Sequence, residues 1–315
     1  MTLVSTPANP VPSGAVSGFI ETPDGVKLRF ARWDPPAGRK GTVCVFTRRG
    51  EYIEKYFETV RDLRARGFGA ALLDWRGQGH SGRKLRDPRR GFVRNFSDFE
   101  IDAKALVQQV VLPDCAPPFY ALAHSMGGAV MLRLAHSGTR WFDRMVLCAP
   151  MIDLPGRTTS TPARYLIRAL RFLGRGGAYV PGGRSNLVGT TPFAGNVLTS
   201  DPVRYARNAA IVAEDPTLAI ASPTVAWADT AFRAMFEFRD PAYAASLRQP
   251  ILIVAASADQ VVSTPAIEAF ASRLRGGAHL VVPGARHEIL QEQDRFRAQF
   301  WAAFDAFVPG TPLFA

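Results

Sequence analysis

Phe119-Tyr-Ala-Leu-Ala-His-Ser-Met-Gly-Gly128 decides how the rest of the chain is read. Its first five residues form an apolar run without polar alternation, the pattern of a strand covered on both faces. A serine between small neighbours follows, and from Gly127 to Ala135 the apolar spacing is helical. A strand that turns sharply into a helix lifts the turn side chain above the sheet edge. Gly127 and Gly128 suit so tight a turn, and Ala123, where glycine is usual, remains small. The Met126 N–H then sits at a helix start, placed to donate to an oxyanion. A plain strand–helix turn with an incidental serine fits the same letters. The strand and helix on either side favour Ser125 as a nucleophile.

Similar apolar runs occur at Thr42–Phe46, Gly69–Leu73, Met145–Ala149, Ile251–Ala255 and His279–Val282. Helical spacing separates them, at Tyr56, Phe57, Val60 and Leu63, at Phe99, Ala103, Leu106 and Val110, and across Ala266–Leu274. The last helix carries Phe296, Phe300, Phe304 and Phe307 on one face. Such alternation predicts an α/β fold with a mostly parallel central sheet flanked by helices. A hairpin about Asp24-Gly25, within Phe19 to Trp33, precedes it. Residues 151–240 break the pattern with Gly-rich stretches and Asp-Pro and Thr-Pro pairs, and read as an inserted helical lid. The core is then 17–150 and 241–315. Residues 1–16 lack a basic start and carry Pro7, Pro10 and Pro12, so they read as a disordered leader rather than an export signal. The compartment expected by default is the cytoplasm.

A serine hydroxyl needs a base near neutral pH, and the base needs an orienting acid. Of five histidines, His287 lies in a short loop beyond the last strand, on the sheet edge where Ser125 emerges. His124 adjoins the serine and reads as support. His80 falls in the loop 76–82 near a pocket rim, His136 ends a helix, and His279 opens a strand and reads as packing. Asp259 follows the strand Ile251–Ala255. A helix N-cap is its alternative role, but Thr264-Pro265 is a better helix start. Ser125, Asp259 and His287 form a catalytic triad in this chain order, with Glu288 as the next candidate acid.

The segments Arg48-Arg-Gly-Glu-Tyr-Ile-Glu-Lys-Tyr56, Asp74-Trp-Arg-Gly-Gln-Gly-His-Ser-Gly82, Ala123-His-Ser-Met-Gly-Gly128, Ala258-Asp259 and Arg286-His287-Glu288 resemble the α/β-hydrolases. Within that fold they are most similar to the monoacylglycerol lipase and bacterial lysophospholipase group. The resemblance spans about residues 19–310, the lid excepted. It implies a serine carboxylic-ester hydrolase that works through an acyl-enzyme on single-chain acyl lipids, with no metal or organic cofactor. It also implies a second oxyanion donor, the N–H of Arg49, although Thr47-Arg48 stands where His-Gly is common. An arginine beside that donor would pair with a substrate phosphate or stay an ordinary surface residue. Arg48 and His124 are the candidate substrate contacts.

The chain has 38 basic and 27 acidic residues, a net charge of +11, which favours anionic partners. Three scattered cysteines exclude a disulfide framework and a CxxC zinc site. A helix over 162–175 would carry Arg164, Arg168, Arg171 and Arg175 on one stripe and Leu166, Ile167, Leu170, Phe172 and Leu173 elsewhere. That pattern fits peripheral contact with an anionic membrane, and equally a solvated face whose apolar side closes the pocket. A second basic cluster, 83–94, lacks interleaved aromatics, so nucleic acid is not an expected partner. Two rival readings stay open: an aminopeptidase using a lid carboxylate to hold a free amine, and a non-catalytic binding protein on the same scaffold.

Overall fold

The computed structural model describes residues 3–37, 39–156 and 158–308. Its strands are β1 (Ala15–Glu21), β2 (Lys27–Trp33), β3 (Thr42–Phe46), β4 (Gly69–Leu73), β5 (Phe119–His124), β6 (Arg144–Cys148), β7 (Ile251–Ala256) and β8 (Gly277–Val282). They form one sheet in the order β1-β2-β4-β3-β5-β6-β7-β8. The β1–β2 and β2–β4 pairs are antiparallel, and every other pair is parallel. In β3, Cys44 and Phe46 enter the core on one face while Val43 and Val45 enter the core on the other. Burial on both faces is why these strands show no polar alternation.

The helices that cover the sheet are α1 (Phe57–Ala65), α2 (Asp98–Leu106), α3 (Leu112–Asp114) and α4 (Met126–His136). In the insertion come α5 (Thr161–Leu170), α6 (Pro202–Glu214) and α7 (Val225–Phe238); α8 (Pro241–Ser246), α9 (Thr264–Ala271) and α10 (Asp294–Phe307) complete the core. A widened turn at Val107–Val111 joins α2 to α3. Pro113 lacks an N–H and crowds the carbonyl one turn earlier, which accounts for the widening.

The N-terminal stretch corrects the sequence reading. Residues 3–14 are packed, not a disordered leader. Val4 N–H donates to Glu54 Oε1 at 3.1 Å, Asn9 Nδ2 to the Glu54 carbonyl at 2.8 Å, and Trp33 Nε1 to the Pro12 carbonyl at 3.0 Å. Prolines prevent a helix here, but an extended strip can still supply the donors that a buried Glu54 requires.

The insertion is fastened to the core on two sides: Glu237 meets Arg133, Arg171 Nη2 donates to the Arg94 carbonyl and Thr224 Oγ1 to the Gly91 carbonyl on one, and the contacts of Thr199, Arg204, Arg207 and Asp215 form the other. Thr199 Oγ1 donates to the Gln291 carbonyl, and Arg204 and Arg207 meet Glu58 at 2.7 and 2.6 Å. Arg204 also reaches Asp294, and Asp215 meets His80 at 2.8 Å. The α5 side differs from its expectation. The helix leaves α geometry after Leu170 and kinks at Leu173 and Gly174, where Gly174 takes φ +76°. Of its apolar residues only Ile167 is buried; Leu166, Phe172 and Leu173 are exposed, with Phe172 at 91%. Arg171 is held by Asp229 rather than solvated. His279, expected to pack, is exposed on edge strand β8.

Candidate active site

From β3 the chain runs to β4 on one side, and β5 then lies on the other side of β3. Loops leaving β3 and β5 therefore diverge and open a crevice at their C-terminal ends, the usual ligand position in such sheets. Arg48–Gly50 leaves β3 there, and Ser125 leaves β5.

Ser125 has φ 51° and ψ −110°, a conformation costing an L-residue on the order of 1–3 kcal/mol. The packing around it holds that strain. Ser125 N–H donates to the Cys148 carbonyl at 3.0 Å, and Met151 N–H to the Ser125 carbonyl at 3.0 Å. A Cβ on Gly127 would lie 2.3 Å from the Phe46 carbonyl oxygen, and one on Gly128 2.8 Å from Pro150 Cβ. Both glycines are thus required by close approach. Met126 is the first residue of α4, so its N–H has no helical partner. Among the described residues the Arg49 N–H also makes no hydrogen bond.

Asp259 and His287 come together from the loops after β7 and β8. Asp259 Oδ2 accepts from His287 Nδ1 at 2.8 Å, and both side chains are fully buried. Asp259 Oδ1 accepts from Val261 and Val262 N–H at 2.7 and 2.9 Å. Ser263, not Asp259, caps α9. Burial pushes the Asp259 pKa up, but the His287 hydrogen bond and charge outweigh it and lower the net value. His287 Nε2 is buried with no hydrogen-bond partner among the described residues. It makes no hydrogen bond to Ser125 Oγ here, a contact often long in unliganded hydrolases. Ser125 is buried, with 4% of its surface exposed.

Arg48 and His124, the candidate substrate contacts, are otherwise engaged. Arg48 meets Glu288 at 2.9 Å and Glu51 at 3.4 Å, while Lys55 bridges the same two carboxylates at 2.7 and 2.9 Å. Tyr56 OH donates to Glu51 at 2.7 Å. Burial opposes ionisation of Glu51 and Glu288, but Lys55 and Arg48 hold both below the usual carboxylate range. His124 Nδ1 lies 3.1 Å from the Cys148 carbonyl, and its ring packs 4.7 Å from that of His287. Burial lowers the His124 pKa to about 4, partly offset by Glu51. Glu288 therefore serves this network and not His287. The sequence reading missed Lys55, whose local signal is its i,i+4 spacing from Glu51. His80 links Arg29 to Asp215: arginine only donates, so Nδ1 accepts from Arg29 and Nε2–H faces the carboxylate.

A strained serine between a central strand and helix, over a mostly parallel sheet with a buried Asp–His pair from later strands, defines an α/β-hydrolase. The serine aminopeptidase (S33) family pattern matches residues 37–294. Lysophospholipase L2 of Escherichia coli (strain K12) is 35% identical over 286 residues, covering 87% of this chain and 82% of that protein. The monoacylglycerol lipase of Mycolicibacterium smegmatis is 24% identical, covering 86% and 89%. The fold matches a soluble variant of the Saccharomyces cerevisiae monoglyceride lipase with a TM-score of 0.74 at 18% identity, covering 93% and 96%. A Bacillus coagulans carboxyl esterase matches at 0.75 and 19% identity, covering 95% and 99%. The chain belongs to this family of α/β-hydrolases, and it is a hydrolase.

Proposed function

We propose that this protein hydrolyses the carboxylic ester of single-chain acyl lipids, a lysophospholipid or a monoacylglycerol, through an acyl-enzyme. The observation that carries this reading is the 2.8 Å Asp259–His287 pair, together with Ser125 held in a strained turn. Ser125 Oγ attacks the acyl carbonyl as His287 Nε2 takes its proton. Asp259 holds Nδ1–H and stabilises the imidazolium without accepting the proton. The N–H groups of Met126 and Arg49 receive the oxyanion. His287 then protonates the leaving glycerol oxygen. Water, deprotonated by the same nitrogen, releases the fatty acid and restores Ser125.

The names of the relatives support the lipid class. A peptide reading would want a lid carboxylate free to hold an amine. Asp201, Asp229 and Glu237 are each in an ion pair, Asp215 accepts from His80 and Asp240 caps α8, which leaves Glu214, exposed at the end of α6. We also infer peripheral contact with anionic lipid through α5 and the turn after it. Tyr165, Leu166, Phe172 and Leu173 are exposed there among Arg164, Arg168 and Arg175, a basic and apolar surface suited to an interface. Among the described residues no helix is long and apolar enough to cross a membrane.

Ser125→Ala tests the reading. Turnover of a soluble ester should fall by three decades or more (on the order of the loss of a triad nucleophile), and fluorophosphonate labelling should vanish with it. Activity within about tenfold of the parent would overturn the assignment.

A further inference from the structure

Charges near the crevice do not balance. Arg48 and Lys55 are matched by Glu51 and Glu288. Arg49 has no carboxylate within ion-pair distance among the described residues. Its Nη2 donates to the carbonyls of Ala221 and Ser222, both at 2.9 Å, and its guanidinium lies over the Trp227 ring at 5.1 Å. Nε is buried without a partner. Burial, and then the neighbouring Arg48 charge, lowers the pKa of this group to about 9, which still leaves it cationic at neutral pH. A buried cation satisfied only by neutral carbonyls attracts an anion.

A cavity of about 500 Å³ opens on this residue. Arg48, Arg49, Arg184, Asn186, Thr191 and Leu198 are among its walls, and no acidic residue lines it. Arg184 is exposed and has no ion-pair partner among the described residues. Leu198 fixes the cavity beside the catalytic centre, because its carbonyl accepts from Glu288 N–H, next to His287, at 2.8 Å. Arg48 and Arg49, on the loop that leaves β3, line the same cavity.

We propose that this cavity is a phosphate subsite, with Arg49 as its buried contact and Arg184 as its outer one. It would hold the phosphodiester of a lysophospholipid while the acyl carbonyl meets Ser125. The proposal rests on the ester-hydrolase reading and narrows it, since a monoacylglycerol has no group to match Arg49. The arginine anticipated for this task from the sequence, Arg48, is already neutralised. A planar guanidinium without a carboxylate partner suits a phosphate oxygen.

The test uses the full chain and two esters of the same acyl chain, a lysophosphatidylglycerol and a monoacylglycerol, both below their micelle concentrations. Arg49→Gln keeps the backbone N–H. It should lower the ratio of kcat/KM for the phosphate ester to that for the neutral ester by about tenfold or more, the worth of one charge-assisted contact. Arg184→Gln should move the ratio the same way by less, and covers the case in which Arg49→Gln fails to fold. Glycerol 3-phosphate, titrated by calorimetry, should bind the wild type and lose affinity in both variants, while glycerol should not bind. This arm separates free phosphate ester from lipid and needs no turnover. Unchanged ratios in both variants, or wild-type protein without affinity for glycerol 3-phosphate, would overturn the subsite. Hydrolysis of neither ester beside intact glycerol 3-phosphate binding would retain the subsite and sink the ester-hydrolase reading.

Discussion

Asp259 uses both carboxylate oxygens, Oδ1 on the Val261 and Val262 amides and Oδ2 on His287 Nδ1. The acid is thus locked by its own loop before it orients the imidazole. Asp259→Asn could keep the amide contacts through its carbonyl oxygen, but it would turn an NH₂ toward Nδ1 and select the wrong tautomer. We expect kcat to fall by roughly four decades with KM little changed. Steady-state kinetics on a soluble ester, with circular dichroism as the folding control, check this. A silent substitution would mean that another group orients His287.

Gly127 leaves no room for a side chain, since its Cβ would meet the Phe46 carbonyl at 2.3 Å. Gly127→Ala must push α4 away from β3 or deform the Ser125 turn. The expected cost is about 2–3 kcal/mol of stability, with a larger loss of turnover because the Met126 N–H moves with the helix. Urea denaturation and kcat measured on the same preparation separate the two effects. A variant as stable and active as the parent would show that the turn tolerates displacement.

Glu58 gathers Arg204, Arg207 and Arg297, joining α1 to α6 and α10. Burial opposes its ionisation, but the three arginines win and its pKa falls to about 2 from 4.5. A carboxylate lowered on folding adds stability above its unfolded value and loses it as pH falls toward the folded one. Glu58→Gln should therefore cost about 2–3 kcal/mol at pH 7, and the difference from wild type should shrink between pH 4.5 and 3. Urea midpoints across that range are the measurement. A pH-independent difference would mean that packing, not charge, is lost.

Phe172 and Leu173 project from the turn after α5 at 91% and 71% exposure. If they enter a lipid interface, Phe172→Ser with Leu173→Ser should weaken binding to anionic vesicles by tenfold or more, since each buried side chain is worth about 1.5–3 kcal/mol. Hydrolysis of a water-soluble ester should change little. Replacing Arg164, Arg168 and Arg175 by Gln should instead reduce the salt-sensitive part of the binding. Co-sedimentation at low and high salt reads both. Equal binding by wild type and the double serine variant would remove this surface from consideration.

The parallel strands were legible because burial on both faces writes itself as unbroken apolar runs; β3, Thr42–Phe46, and β4, Gly69–Leu73, match theirs end for end. Ser125, Asp259 and His287 were candidates because strand ends in such a sheet share one edge, and Asp259 and His287 do meet there at 2.8 Å. What local letters cannot carry is pairing across the chain. Arg48 and Glu288 are 240 residues apart, so nothing near Arg48 indicated that its charge was already met. The packing of residues 3–14 was hidden likewise, because its anchor is Glu54. Around α5 the spacing was read correctly as amphipathic, but spacing does not tell which face has a partner, and most of the apolar residues there have none.

The helices between β6 and β7 are clamped at two margins, Arg204 and Arg207 on Glu58 at one and Glu237 on Arg133 at the other. Ala231, Ala234, Met235 and Phe238 add a seam of core packing beneath them. A roof held on both sides resists swinging as one piece, so freedom of movement falls to the short stretches between the clamps.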